Sequence, residues 1–295
     1  MAELNLGQWL DTARGRLKGI SEQAGLEASL LASSLLAKPR SWILAYPEEN
    51  LTTAQVTLLN LGLERLASGT PLPYITGVQE FYGLKFSVNP AVLIPRPETE
   101  LLVDQAINWL LQSPNRRRGL DVGTGSGCIS VAIAAAVGDM RMIASDLSRS
   151  ALVLARANAA ANGVLARVTA VLADLTAPFL GPYDLVCANL PYIPSPTLAG
   201  LSVGRYEPLL ALDGGPDGLT LIRRMLVDLP RILAPGGLAL LEIEHRQGTA
   251  VTDLASQNFP CADIQTLQDL AGLNRLIRIK NSPEPVQSSW KELQK

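Results

Sequence analysis

The residues best suited to chemistry fall into two short stretches and two separate carboxylates. In the first stretch, Asp121-Val122-Gly123-Thr124-Gly125-Ser126-Gly127, three glycines lie between an apolar run and a second apolar segment. Glycines there let the backbone turn tightly and approach a ligand, with the N-terminus of the following helix facing it. A dinucleotide pyrophosphate calls for G-x-G-x-x-G, whereas the third glycine here comes one residue earlier. Asp121 would oppose a pyrophosphate but suits the amino group of a cofactor bearing an amino acid. Asp146 ends a second apolar run and is placed to accept from ribose hydroxyls. Asp174, followed by Leu175, ends a third and is placed to accept from the amino group of an adenine. The second stretch, Asn189-Leu190-Pro191-Tyr192, ends a fourth run. Two acceptors aimed at a planar NH2 group would fix its position and draw its lone pair out of conjugation. The Asn189 side-chain carbonyl can be one. The backbone carbonyl of Leu190 can be the other, its geometry restricted by the following proline. Tyr192 supplies a ring face for a planar group.

These groups need a scaffold, and the hydrophobic pattern describes one. Residues 1–75 read as a small helical bundle, with Leu6, Leu10, Ala13 and Leu17 at helical spacing. A second helix carries Ala28, Leu31, Leu35 and Leu36 and stops at Lys38-Pro39. A third carries Val56, Leu59, Leu63 and Leu66 behind a Thr52 or Thr53 cap. Residues 76–97 form a linker with a hairpin around Gly83, stiffened by Pro95-Arg96-Pro97. From 98 to 283 strands and helices alternate. Strands are expected at Leu120–Val122, Met140–Ser145, Val168–Leu172, Asp184–Ala188 and Leu238–Ile243, with Arg275–Lys280 at a sheet edge. Helices are expected over 98–111, 128–137, 148–158 and 218–229. This is a doubly wound α/β domain, whose ligands bind at the carboxyl ends of the strands. Residues 284–295 read as a tail.

Composition narrows the function classes. The 295 residues are 47% hydrophobic and 18% charged, which excludes an expanded, disordered chain. With 25 basic and 27 acidic residues, the net charge is −2, and the only dense basic run is Arg116-Arg117-Arg118. That run reads as a solvated approach to a strand, so direct nucleic-acid binding is not expected. Cys128, Cys187, Cys261 and the single His245 lack metal-ligand spacing, and three cysteines do not suggest a disulfide framework. No metal is expected, and a reducing cytoplasm fits. The opening residues lack a secretory pattern, and the apolar runs are too short to span a membrane. No self-complementary apolar helix stands out, so a monomer is expected.

The glycine turn and the three acids resemble the class I S-adenosylmethionine-dependent methyltransferases. More specifically, the chain resembles the HemK/PrmC family, the protein-(glutamine-N5) methyltransferases of peptide chain release factors. The resemblance covers nearly the whole length. Its motifs include Pro73-Tyr74-Ile75-Thr76-Gly77, Phe81-Tyr82-Gly83-Leu84, Ile94 through Glu100, the Asp121–Gly127 turn and Asn189 through Ile193. It continues at Glu207-Pro208, Gly214 through Leu219 and Glu242-Ile243. It implies a seven-stranded, mostly parallel sheet behind an N-terminal helical bundle that docks release factor. It also implies S-adenosylmethionine as cofactor, S-adenosylhomocysteine as product, and the glutamine of a Gly-Gly-Gln loop as acceptor. Asp121, Gly123, Thr124, Gly125, Ser126, Gly127, Asp146, Asp174, Leu175 and Asn189 would then hold the cofactor. Asn189, Leu190, Pro191, Tyr192 and Arg96 would line the substrate site.

No strong base is needed, because a sulfonium is a reactive methyl donor. Two positions depart from the family: Leu190 stands where proline is commonest, and Glu244 where glycine is frequent. The alternatives are an amino-methyltransferase acting on adenine or guanine in nucleic acid and a non-catalytic cofactor-binding module. An NAD-dependent oxidoreductase is disfavoured by Asp121 and the glycine spacing.

Overall fold

The computed structural model describes residues 4–283, so the expected tail at 284–295 lies outside the described residues. The chain forms two compact units, Met1–Val78 and Gln79–Lys295. The first contains helices Leu6–Leu17, Ala24–Leu35, Arg40–Ala45, Thr53–Ala67 and Leu72–Thr76. Its core joins Leu6, Trp9, Ala13 and Leu17 to Leu31, Ile43 and Leu59. Trp9 takes the buried place expected of Leu10, and its indole N–H donates to Asn60 at 2.9 Å. Asn5 and Thr52 each close a capping box, with Gln8 and Gln55. Two short helices are not expected from the sequence, where prolines read as helix stops. Pro39 precedes a helix and Pro73 sits in a first turn, where the missing N–H costs little.

The second unit opens with a hairpin, β1 (Val78–Phe81) and β2 (Leu84–Ser87). Tyr82 and Gly83 both have positive φ at its two-residue turn, the combination that matches strand twist. Glu100 accepts from the Tyr82 N–H at 2.8 Å, so this carboxylate of the following helix, Glu100–Leu111, holds the turn.

A seven-stranded sheet follows. Its strands are β3 (Arg118–Val122), β4 (Arg141–Asp146), β5 (Val168–Leu172), β6 (Tyr183–Ala188), β7 (Leu233–Glu242), β8 (Asp263–Gln268) and β9 (Asn274–Lys280). Their spatial order is β5-β4-β3-β6-β7-β9-β8. From β5 to β7 the pairing is parallel, and β9 runs antiparallel to both β7 and β8. Placing Arg275–Lys280 at the edge was wrong: β9 is inserted between β7 and β8. The true edge strand, β8, escaped detection because DIQTLQ is mostly polar and its alternation is weak. Helix Gly248–Asn258, with few large apolar residues, was also missed.

The basic run before β3 is engaged rather than free in solvent. Arg116 pairs with Asp184 at 3.2 Å, Arg117 pairs with Asp139, and Arg118 lies over the Tyr183 ring. Asp184 also accepts the backbone N–H groups of Arg117 and Arg118, both at 3.0 Å. Replacing Asp184 with alanine strands those donors. We expect a loss of about 1–3 kcal/mol, read as a lower urea midpoint of the α/β unit.

Candidate active site

The sheet changes winding direction between β3 and β6, and ligands of open α/β sheets bind outside such a switch point. Val122 pairs with Ala188, so the turn after β3 and the loop after β6 leave the sheet side by side. A cavity of about 370 Å³ opens there, within the range of small-molecule sites. Among the expected site residues, Gly123 to Ser126, Asp146, Asp174, Leu175, Asn189, Leu190, Pro191 and Arg96 line it. Asp121, Gly127 and Tyr192 do not.

Asp121 is fully buried behind the turn. Its Oδ2 accepts the hydroxyls of Thr124 at 2.6 Å and Ser130 at 2.7 Å, while Oδ1 has no hydrogen-bond partner among the described residues. Through Oδ2 it therefore braces the glycine turn from below. Gly127 has positive φ and precedes helix Cys128–Ala136, and a Cβ there would lie 3.0 Å from that of Ala155. Gly125 differs: its φ is +55°, and a Cβ would meet nothing within 4 Å. The open space beside that backbone is where a ligand can come close.

Asp146 Oδ2 accepts the Gly125 N–H at 2.9 Å and its Oδ1 that of Ser148 at 2.8 Å. The strand-end carboxylate is thereby fixed at the mouth with lone pairs to spare. Asp174 pairs with Arg224 at 2.7 Å, and both side chains are half-exposed. Leu175 beside it has φ +50°, a conformation rare outside glycine, at the cavity wall.

Arg96 does not present a free cation. It pairs with Glu207, whose other oxygen accepts the Ile94 N–H at 3.1 Å. Buried Glu207 thus ties the 94–96 loop to the segment carrying Pro208 and Leu210, and both sides line the cavity. Asn189 donates from Nδ2 to Thr99 Oγ1 at 3.1 Å. Tyr192 sits behind the cavity wall, partly buried against the core, and its hydroxyl donates to Glu242 at 3.4 Å. Burial, reinforced by the Glu242 charge, pushes the Tyr192 hydroxyl well above its usual pKa.

Sequence reasoning assigned no role to Thr99, Glu207, Glu242, Gln247 or Asn158, although the first three lie in stretches that carry the family resemblance. Gln247 donates to the Tyr192 carbonyl at 3.0 Å and the Gly218 carbonyl at 3.3 Å. A Cβ on Gly218 would lie 2.2 Å from the Tyr192 carbonyl oxygen, which accounts for glycine in that stretch. Asn158 exchanges two hydrogen bonds with the backbone of Ser87 and donates to the Ser126 carbonyl at 2.8 Å, linking hairpin to turn.

Comparisons with known proteins place the chain among relatives of one kind. A family model described as the PrmC N-terminal domain matches residues 8–77, and one described as the methyltransferase small domain matches 99–197. The release factor glutamine methyltransferase of Moorella thermoacetica is 42% identical, with 92% of this chain and 97% of that protein covered. Its counterpart from Gloeobacter violaceus is 41% identical over 75% of this chain and 78% of its own length. Among solved structures, the hMettl16 catalytic domain in complex with a MAT2A 3′UTR hairpin matches with a TM-score of 0.55. At 16% identity, over 73% of this chain and 81% of that one, it shows a shared methyltransferase fold.

Burial pushes the Asp121 carboxyl up to about 6 against the Thr124 and Ser130 hydroxyls, with the Asp146 charge adding to the rise. From about pH 4 to 6 the folded protein keeps a proton that the unfolded chain has released. The contribution of Asp121 to stability is therefore greatest at acid pH and falls as pH rises through that window. Asp121→Asn does not titrate. Urea unfolding should show its stability relative to the wild type rising by on the order of 2–3 kcal/mol between about pH 4 and 7.

Proposed function

This chain belongs to the release factor glutamine methyltransferase family, and from that premise we propose how its site works: the side-chain amide nitrogen of a release-factor glutamine is held at Asn189 and methylated from S-adenosylmethionine. The observation that carries this reading is the side-by-side exit of the glycine turn and the Asn189 loop from β3 and β6 into one cavity. The residues present fit the cofactor. Gly125 leaves backbone open to a ligand, Asp146 offers acceptors to ribose hydroxyls, and Leu175 with Ala173 and Leu221 forms an apolar wall for a base. Bound there, the cofactor supplies an electrophilic methyl on a sulfonium.

The protein's own part is positioning. With Nδ2 held by Thr99, Asn189 directs Oδ1 to accept from the substrate amide, and Leu190 contributes its backbone carbonyl. Developing positive charge on that nitrogen strengthens both contacts in the transition state. The proton leaves late and needs no dedicated base. The acceptor is the glutamine of a Gly-Gly-Gln loop, docked with help from the helical bundle, and the enzyme acts as a monomer in the cytoplasm.

A transfer assay with labelled S-adenosylmethionine tests this directly. Purified release factor should gain one methyl on the loop glutamine, located by fragment mass spectrometry, and its Gln→Ala variant should gain none. Transfer to adenine or guanine with release factor untouched would overturn the reading. Asn189→Ala should lower kcat by about 10²-fold or more while changing cofactor affinity little. Equal losses in both would contradict the role given to Asn189.

A further inference from the structure

An asparagine can meet a substrate amide in two ways. With Oδ1 outward it accepts from an NH2 group; with Nδ2 outward it donates and selects a carbonyl instead. Something behind Asn189 must choose. Its Nδ2 donates to Thr99 Oγ1 at 3.1 Å, and Thr99 is only 2% exposed, on the short turn Pro97–Thr99. A threonine hydroxyl has two lone pairs and one proton. Having accepted from Asn189, Thr99 still has its proton to give. Glu242, the last residue of β7 and also 2% exposed, lies close enough for the Thr99 hydroxyl to lower its pKa. Glu242 Oε1 accepts from the Tyr192 hydroxyl, and Oε2 is buried with no hydrogen-bond partner among the described residues.

We propose that Glu242 is a positioning residue that sets hydrogen-bond polarity: as an acceptor-only carboxylate it takes the Thr99 proton, which obliges Thr99 to accept from Asn189 and Asn189 to offer its carbonyl oxygen to an NH2 substrate. The selectivity for an amide nitrogen over an amide oxygen is thus imposed two residues behind Asn189. Glu242 also holds the Tyr192 hydroxyl while Gln247 holds the Tyr192 carbonyl, so the loop is pinned from the end of β7. This inference rests on the methyl-transfer reading.

Other charges bear on Glu242. Burial pushes its carboxyl up to about 7, the Thr99 hydroxyl and Arg275 of β9 pull it down, and Glu98 adds to the rise. Arg96 and Arg275 both face the Tyr192 hydroxyl, and the buried Cys128 thiol feels the Glu242 charge. A protonated Glu242 can donate, and the direction of the relay is then no longer set. Turnover should therefore rise with pH through an inflection near 7.

The test measures kcat, KM for release factor and calorimetric S-adenosylmethionine affinity from about pH 5.5 to 8.5, for wild type, Glu242→Gln, Thr99→Val and Thr99→Ser. Glu242→Gln and Thr99→Val should each lower kcat about tenfold or more, with cofactor affinity within about twofold. Glu242→Gln should lose the inflection near 7, and Thr99→Ser should keep both rate and inflection. The double variant Glu242→Gln/Thr99→Val should be no slower than either single one, since both break one chain of contacts. Wild-type kcat and pH profile in Glu242→Gln would overturn the proposal. So would equal losses in Thr99→Ser and Thr99→Val, which would mark packing rather than the hydroxyl. If Glu242→Gln fails to fold, the two Thr99 variants still decide. No transfer by the wild type would overturn the functional reading itself, whereas transfer unchanged in the variants would overturn only the relay.

Discussion

The parallel pairing of β3 with β6 is the constraint on which the rest depends. Five parallel strands could bind a ligand almost anywhere along their carboxyl edge. Only where neighbouring strands lead their connections away in opposite directions does a crevice open between two loops. Here those loops carry different chemistry. The turn after β3 is glycine-rich and leaves open space at Gly125; the loop after β6 carries the Asn189 side chain and the Leu190 carbonyl. Matching Val122 with Ala188 in register places Gly123 against Leu190, with a Cβ on that glycine only 3.1 Å from the leucine Cδ2. A shift of register by one residue would turn Asn189 to the opposite face of the sheet.

Around that crevice, buried polar side chains do the holding. Asp121 braces the glycine turn, Glu207 joins two walls of the cavity, Glu242 stands behind Asn189, and Asn158 links the turn to the hairpin. Burying carboxylates is costly, and the raised pKa values of Asp121 and Glu242 are the mark of that cost. An apolar core would be more stable but could not specify which way a hydroxyl or an amide points. The preference for polar groups is what the proposed role of the site, orientation rather than proton transfer, requires.

The legibility of this arrangement in the sequence follows the range of the interactions. The glycine turn, the strand-end Asp146 and the Asn189 loop were readable because each signal is local: a spacing, a strand end, a residue before proline. The five parallel strands were readable as short apolar runs. Edge strand β8 was not, because its side chains are half-solvated and its sequence carries no such run. The engagements of Arg96, Asp121 and Tyr192 with other side chains were not readable, for a different reason. Each has the right chemistry for a ligand, but its partner lies far along the chain or beneath the turn. Arg96 meets Glu207, 111 residues on, and Tyr192 meets Glu242, 50 residues on. No sequence spacing reveals that such a side chain is already engaged.

The two departures from the family pattern become intelligible on the same grounds. Leu190 is 3% exposed and packs against the glycine turn, so it replaces a proline's constraint with apolar contact while leaving a backbone carbonyl at that position. Glu244 has φ −72° and ψ 143°, an ordinary extended conformation, so nothing in the backbone there demands glycine. Its side chain is also put to use. It accepts the Arg246 N–H, while Gln247 Oε1 accepts the Glu244 N–H in return, a reciprocal cap on the turn His245–Gln247. That cap fixes the same glutamine whose Nε2 holds the Tyr192 carbonyl. Glu244 therefore supports, through the Gln247 side chain, the loop that carries Asn189 and Tyr192.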